Sequence, residues 1–354
     1  MYIFKKQGVS RMAQLVKLQD YISRYQIDIT RYPTQFVRLK KSQWEKTKLE
    51  WQSGEMMTKW EHLEIEQQEQ EEQEPKTKLS ILKRLIPLRF SKQGEQEEEN
   101  IEQMDVSNEF VDDEWQEEDT SLLFNPNIVY TPRSLEELKR IFLDQFFQFQ
   151  LKWASSTLRE KSYVDPKFMR DHLLRTFLQS LPDSYMLFYY PVLRLKKAPI
   201  ELEIVLMTPT ECYIIKVLEE GDQAVYVASG DRFWTKKVGK IEKKLLNPMI
   251  DLDRSATIVQ QLMQQEGAEL PIRKVLLSRN GYFDYPGSSY DVRFVDKRKF
   301  PEWFQQMRRS ISPMKHMQIK AAQSLLNVAE TTSFNRDIWQ VDKETQNMQE
   351  QDRK

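Results

Sequence analysis

The chain of 354 residues is 40% hydrophobic, which is enough for a sizeable buried core. Its 53 basic and 54 acidic side chains almost cancel, so the net charge indicates neither a nucleic-acid nor a membrane partner. One cysteine excludes an intrachain disulfide and a cysteine-rich metal site, and the three histidines lack the spacing of zinc ligands. A lone cysteine fits a reducing cytoplasm, where we expect the protein, and no apolar run reaches the roughly 18 residues that span a bilayer.

Residues 1–74 are predicted to form a helical N-terminal region. Its first helix would carry apolar residues at three- and four-residue steps: Leu15, Leu18, Tyr21 and Ile22. Pro33 interrupts this pattern, because proline disfavours helix at the residue before it. A second helix is predicted from about Thr34 towards Gln73.

Residues 75–130 form a predicted charged and flexible linker. Residues 76–92 are basic and apolar, which is typical of a short helix that binds a membrane or partner surface, or that docks on the protein itself. Residues 95–119 contain thirteen acidic residues and no basic one. This composition predicts disorder over 93–127.

Residues 131–164 contain a predicted amphipathic helix rich in phenylalanine. Ser134 and Glu137 match a capping box at its start. One helix face then carries a continuous apolar stripe: Leu135, Leu138, Phe142, Phe146, Phe149 and Trp153. Core packing explains the stripe most simply, and a contact with another subunit is the alternative.

Residues 165–311 alternate between helical and strand patterns, and residues 312–354 add a helix at 313–329 and a polar tail. The predicted helices are 166–181, 249–266 and 300–310. The predicted strands are 186–195, 200–207, 212–218, 224–228, 232–235, 272–278 and 291–296. This order predicts the α/β class, with a mixed sheet covered by helices.

Several short motifs follow one another in this region. They are Leu181-Pro182-Asp183 after the first helix, Glu201-Leu202-Glu203 and Thr208-Pro209 in a hairpin, Gly230 and Trp234 in the next, and Asn247-Pro248 before the long helix. In this order they resemble the nuclease-related domain (NERD) family, which has a restriction-endonuclease-like fold. The resemblance covers about residues 165–310 and implies a mixed sheet flanked by helices.

The resemblance implies a metal-dependent site at the hairpin. In family members that cut DNA, an Asp on one strand and a Glu-x-Lys on the next hold a divalent cation and activate water. Here Glu203 stands at the Asp position, while Lys216-Val217-Leu218 stands at the Glu-x-Lys positions. A cation replaces a metal ligand, so we expect an inactive site that needs no metal or cofactor.

Lys216 is predicted to pair with Glu201 or Glu203 and to occupy the position of the former metal. The alternative is an ordinary cross-strand ion pair. A relocated site is a further possibility, in which Glu219, Glu220 and Asp171 converge on Lys216. Such a site would make the protein a Mg²⁺- or Mn²⁺-dependent DNA phosphodiesterase, with Glu203 as a metal ligand.

Residues 232–244, RFWTKKVGKIEKK, are a candidate nucleic-acid interface. The candidate phosphate contacts are Arg232, Lys236, Lys237, Lys240, Lys243 and Lys244, with Phe233 and Trp234 beside them. The alternative is a solvated loop, with Trp234 packed under the sheet.

Three functions therefore follow from the sequence. They are an inactive nuclease-related domain that binds nucleic acid or a protein, an active nuclease with a relocated site, and an assembly protein that forms oligomers through the helix at 134–153. The chain has nine glycines and no glycine-rich phosphate loop, which disfavours the common nucleotide-binding enzymes.

Overall fold

The computed structural model describes residues 11–54, 124, 126, 128, 132–157, 162–195, 198–219, 221–285, 291–309 and 312–331. Residues 11–49 and those from 124 onward belong to one compact unit, and residues 50–54 belong to a second. The predicted surface helix 76–92, the acidic segment 95–119 and most of the polar tail lie outside the described residues.

A mixed sheet of six strands forms the centre of the fold. Its strands, in spatial order, are β1 (Gln14–Leu18), β2 (Met186–Tyr189), β5 (Ile204–Met207), β6 (Cys212–Val217), β10 (Ile272–Leu277) and β12 (Val292–Val295). The pairs β2–β5 and β5–β6 are antiparallel, whereas β1–β2, β6–β10 and β10–β12 are parallel. This architecture confirms the predicted α/β class with a mixed sheet.

The first strand corrects the predicted helix around residues 12–22. All five residues of β1 are buried, including Gln14 and Lys17. A strand that is covered on both faces lacks the alternation that marks a half-exposed strand, and its apolar residues can then imitate helical spacing. Because β1 pairs with β2, Gln14–Leu18 belong to the same sheet as the strands of the predicted α/β domain.

Seven α-helices and one short 3-10 helix (Arg24–Gln26) lie among the described residues. The α-helices are α1 (Tyr32–Ser53), α2 (Leu135–Ala154), α3 (Pro166–Met169), α4 (His172–Ser180), α5 (Pro248–Gln265), α6 (Phe300–Arg309) and α7 (His316–Leu326). Pro33 is the second residue of α1 and stands in its first turn, where a missing backbone N–H is tolerated. The predicted helix 166–181 is divided into α3 and α4.

The apolar stripe of α2 packs inside the chain. Phe146 lies 5.3 Å from Phe36 of α1 between ring centroids, and Phe142 lies 5.3 Å from Trp44. Both α2 residues are fully buried, which confirms the core-packing interpretation. The face that the oligomer hypothesis required is thus covered by α1.

The predicted capping box at the start of α2 is half right. Ser134 accepts a hydrogen bond from the backbone N–H of Glu137 at 3.2 Å. The Glu137 carboxylate accepts from the backbone N–H of Arg133 at 2.8 Å, one residue before the predicted donor.

Two smaller sheets accompany the central one. One pairs β3 (Val192–Leu195) with β4 (Ala198–Glu201), and the other has the order β11 (Tyr282–Asp284), β7 (Val225–Val227), β8 (Phe233–Val238), β9 (Ile241–Leu246). The predicted strands 186–195 and 200–207 are each split between the central sheet and the β3–β4 pair. Strand β9 was not predicted because its sequence, IEKKLL, is mostly exposed and does not alternate.

The helices of this fold do not match a membrane span. None of those within the described ranges is both long and apolar enough to cross a bilayer.

Candidate functional site

Glu203 and Lys216 meet at the start of the β5–β6 hairpin. Ile204 pairs with Ile215 in the antiparallel register, so one further step places Glu203 opposite Lys216. The Lys216 Nζ lies 2.7 Å from Glu203 Oε1, which selects Glu203 from the two predicted partners. Glu201 is the last residue of β4 and is exposed.

A second carboxylate, Asp251, contacts the same ammonium. Its Oδ2 lies 3.2 Å from Lys216 Nζ, and Arg254 approaches its Oδ1 at 3.3 Å. Asp251 stands in the first turn of α5, where Asn247 caps the helix by accepting from a backbone N–H. Sequence reasoning missed Asp251, although an acidic residue after the Asn-Pro start is typical of a first helical turn. The sequence does not show that α5 packs on β6, and this packing brings Asp251 and Lys216 together.

Burial and ion pairing have opposite effects on the pKa values of Glu203 and Lys216. Glu203 is 7% exposed, and burial raises the pKa of its carboxyl group, while the hydrogen bond from Lys216 offsets part of that rise. Burial lowers the pKa of Lys216, but the hydrogen bond and charge of Glu203, together with Asp251, outweigh burial and raise it. We therefore assign the charged form to Lys216 at neutral pH, held between two carboxylates.

Tyr190 is influenced by the charge of Glu203 and by those of further candidate acids. Burial raises the pKa of its hydroxyl, and the charges of four carboxylates add to the rise, namely Glu203, Asp171, Glu219 and Glu201. The backbone of Tyr190 has a φ of 48°, in the left-handed region that costs free energy for a non-glycine residue. The charges of four candidate acids, Asp171, Glu201, Glu203 and Glu219, thus all raise the pKa of one tyrosine, which sequence reasoning did not single out.

Two of these carboxylates already have several donors within the protein. Asp171 caps α4 by accepting from two backbone N–H groups at 2.9 and 3.0 Å, and Tyr189 donates its hydroxyl at 2.6 Å. Glu219 forms a two-pronged ion pair with Arg279, at 2.6 and 2.7 Å. The carboxylates found in contact with Lys216 are Glu203 and Asp251, whereas the relocated site was predicted to use Asp171, Glu219 and Glu220, the last of which lies outside the described residues. Within the described ranges, no group of three or more His, Cys, Asp or Glu residues could hold a metal ion.

The predicted basic interface forms the β8–β9 hairpin. Arg232 precedes β8, which contains Lys236 and Lys237, and Lys240 is in the turn. Lys243 and Lys244 lie on β9. The turn has only two residues, and Gly239 adopts a φ of 58° there, as such tight hairpins require.

The hairpin register decides which cations share a face. Lys236 lies directly opposite Lys243, and Lys237 lies opposite Glu242, with which it forms an ion pair at 2.8 Å. Lys244 lies opposite Thr235, on the other face from Lys243. The positive charge of Lys237 is therefore already compensated.

Five cations and one aromatic ring of the hairpin face solvent. The exposed cations are Arg232, Lys237, Lys240, Lys243 and Lys244, of which Lys237 is paired with Glu242. Phe233 is 50% exposed, and the Arg232 guanidinium lies 5.7 Å from its ring centroid.

Trp234 is packed under this small sheet. It is fully buried, donates its indole N–H to the Ser229 carbonyl at 2.9 Å, and stacks on Phe294. The packing interpretation of Trp234 is confirmed.

Comparison with known proteins leaves the family of this chain open. No protein-family model and no solved structure matches it. A segment of 42 residues is 52% identical to part of an RNA 2′,3′-cyclic phosphodiesterase from Geobacillus stearothermophilus. The match covers 12% of this chain and 13% of the length of that relative.

Proposed function

We propose that this chain carries a catalytically inactive nuclease-related domain of the restriction-endonuclease-like type, which binds nucleic acid. One observation carries the proposal: the Lys216 ammonium stands between Glu203 and Asp251, at the position that the resemblance gives to a metal ligand. Strands β2, β5 and β6 followed by α5 and the parallel strand β10 support the fold, because the resemblance implies this order.

Charge counting supports the loss of catalysis. A metal-dependent nuclease needs an anionic pocket, since the carboxylates must neutralise a divalent cation that polarises the phosphate and lowers the pKa of water. In this chain two cations, the ammonium of Lys216 and the guanidinium of Arg254, already balance the charges of the two nearest carboxylates, Glu203 and Asp251. The catalytic lysine position holds Leu218, a buried side chain that cannot assist water.

Asp171 and Glu219 already accept hydrogen bonds within the protein, which disfavours a relocated metal site. Metal ligation by Asp171 would compete with the helix cap and with Tyr189, and ligation by Glu219 would compete with Arg279. Each loss would leave a donor without its partner in a partly buried region, which costs free energy. The inactive alternative requires no such rearrangement.

Cleavage is tested with supercoiled plasmid, Mn²⁺ and a Glu203→Ala variant purified in the same way. We expect both proteins to leave the plasmid intact, because the metal position is filled by an ammonium group. Nicking by the parent that is lost in the variant would establish an active site and overturn the inactive assignment. Equal nicking by both would indicate a contaminating nuclease.

The β8–β9 hairpin supports nucleic-acid binding. Exposed cations beside an exposed phenylalanine combine phosphate contacts with a surface on which a base can stack.

Replacing Lys240, Lys243 and Lys244 with Ala is expected to weaken binding to single-stranded DNA at low salt. The three substitutions should also reduce the slope of log affinity against log salt concentration by about 2, since each phosphate contact releases counterions. Fluorescence anisotropy of a labelled oligonucleotide at several salt concentrations measures both quantities. The matched control replaces three exposed lysines elsewhere, Lys41, Lys46 and Lys152.

The control variant distinguishes binding at the β8–β9 hairpin from a general effect of lost positive charge. Equal losses in the hairpin and control variants would reduce the effect to net charge and contradict a hairpin interface. Because the Geobacillus relative is an RNA phosphodiesterase, the same titration with single-stranded RNA of equal length compares the two nucleic acids directly.

A further inference from the structure

A cavity lies apart from the Lys216 site, along strands β11 and β12. Its volume is about 500 Å³, within the range of small-ligand pockets. One part of its lining is aromatic and another is cationic, and neither part takes part in the ion pairs around Lys216.

The aromatic part ends in a stack of three rings. Tyr285 stacks on Phe294 with ring centroids 4.7 Å apart and an interplanar angle of 23°. Phe294 stacks in turn on the buried Trp234, at 6.4 Å and 20°. Tyr285 is the outer member of this stack and is 38% exposed, so a flat ring in the cavity can reach a rigidly supported aromatic surface.

The cationic part consists of Arg293, Arg298 and Lys299, all exposed at the cavity. The buried carboxylate of Asp296 also lines it, but Arg298 holds that carboxylate at 2.5 and 3.0 Å. Asp296 accepts in addition from the backbone N–H groups of Arg298 and Lys299, both at 3.1 Å, which fixes the turn that leads into α6. Two positive charges therefore remain uncompensated within the lining.

We infer that this cavity binds a nucleotide, with the base stacked on Tyr285 and the phosphate held by Arg293 and Lys299. Aromatic stacking accepts any base because each has a π-face, and cationic side chains supply the phosphate contacts that a glycine-rich loop supplies elsewhere. The inference goes beyond the proposed function, since the cavity and the β8–β9 hairpin use different residues. The ligand chemistry, a base joined to a phosphate, belongs both to a free nucleotide and to the end of a strand.

Equilibrium dialysis with radiolabelled AMP tests the inference on the full chain. We expect saturable binding, at least about fivefold weakened by Tyr285→Ala because the stacking surface is lost. Tyr285→Phe should bind as the parent does, since it keeps the ring. Arg293→Gln should weaken AMP binding, whereas Lys297→Ala, which removes an adjacent exposed cation outside the lining, should leave it unchanged.

Competition and chain-length controls separate the possible outcomes. Absence of saturable AMP binding, or equal competition by ribose 5-phosphate, would overturn the inference because the base would contribute nothing. A dinucleotide with a 5′-phosphate that binds more tightly than AMP, and loses this advantage in Tyr285→Ala, would identify the end of a strand as the ligand. Tighter binding of AMP would identify a free nucleotide.

The hairpin variant distinguishes this inference from the proposed function. Replacement of Lys240, Lys243 and Lys244 should weaken oligonucleotide binding and leave AMP binding intact. If AMP binding also disappears in that variant while its circular dichroism and thermal unfolding match those of the parent, the separate nucleotide site is overturned.

Discussion

Lys216→Met is expected to lower the free energy of unfolding by about 3 kcal/mol at neutral pH. The substitution removes the ammonium group but leaves the Glu203 carboxylate buried at 7% exposure without its cationic partner. Losing one partner of a buried ion pair costs more than the pair contributes, because an uncompensated charge remains in a poorly solvated place. Urea unfolding followed by circular dichroism measures the change.

The loss should shrink as the pH falls. Burial already raises the pKa of Glu203, and without Lys216 the pKa rises further. The folded state then binds a proton at a higher pH than the unfolded state does, so acidification stabilises the variant relative to the parent. The double variant Glu203→Gln with Lys216→Met should recover part of the lost stability for the same reason.

Lys237→Met is the matched control, because Lys237 and Glu242 also form a cross-strand pair but are exposed. Exposed pairs contribute little, so the stability should barely change. If both substitutions change the free energy of unfolding equally little, the Lys216 contact is an ordinary surface ion pair. Such a result would also remove the main support for a filled metal position.

Lys17→Met is expected to stabilise the protein, and the gain should depend strongly on pH. Burial lowers the pKa of Lys17 to about 7 from its usual 10.5, although the charges of Asp20 and Glu330 oppose that shift. Its Nζ donates to the Tyr21 carbonyl and, at 3.2 Å, to Gln26 Oε1. These hydrogen bonds do not restore the hydration that the ammonium group loses on burial.

The direction of this pH dependence follows from proton counting. Between about pH 7 and pH 10.5 the unfolded chain keeps the Lys17 proton while the folded chain releases it, so parent stability rises with pH. The destabilisation is complete below about pH 7 and disappears above pH 10.5. The advantage of Lys17→Met should therefore fall by about 3 kcal/mol between roughly pH 6.5 and pH 9.5.

Denaturant unfolding at both pH values, with exposed Lys41→Met as the control, measures this difference. A stability difference between parent and Lys17→Met that stays constant with pH would show that Lys17 remains charged in the folded state. The control should follow the parent at both values, because Lys41 is solvated in both states.

Much of the fold could be predicted from local patterns. Strands β6, β10 and β12 and helices α5, α6 and α7 form near the predicted positions, because each combines an apolar pattern with a clear start or stop signal. The helical prediction for β1 is wrong because the strand is covered on both faces, a tertiary fact that leaves no period of two in the sequence. The three-residue strand β11 was missed because its few residues give no periodic signal.

Some contacts of the candidate site could likewise be predicted from the sequence, and others could not. The pairing of Glu203 with Lys216 could be predicted because antiparallel register follows from the turn between the strands. The contact with Asp251 could not, since it depends on how α5 packs on β6. The positions of Arg279 and Tyr190 beside the candidate acids likewise depend on loops that come together only in the folded chain.

The position of β1 has a consequence for how the protein is made. Gln14 of β1 pairs with Met186 of β2, which is far later in the chain. During synthesis β1 therefore remains unpaired for roughly 10 to 30 s until β2 has been made. Such a distant pairing slows folding, and until it forms both strands present unpaired edges to other chains. A fragment that begins after β1 would keep the open edge of β2 permanently, and such an edge favours pairing with other chains.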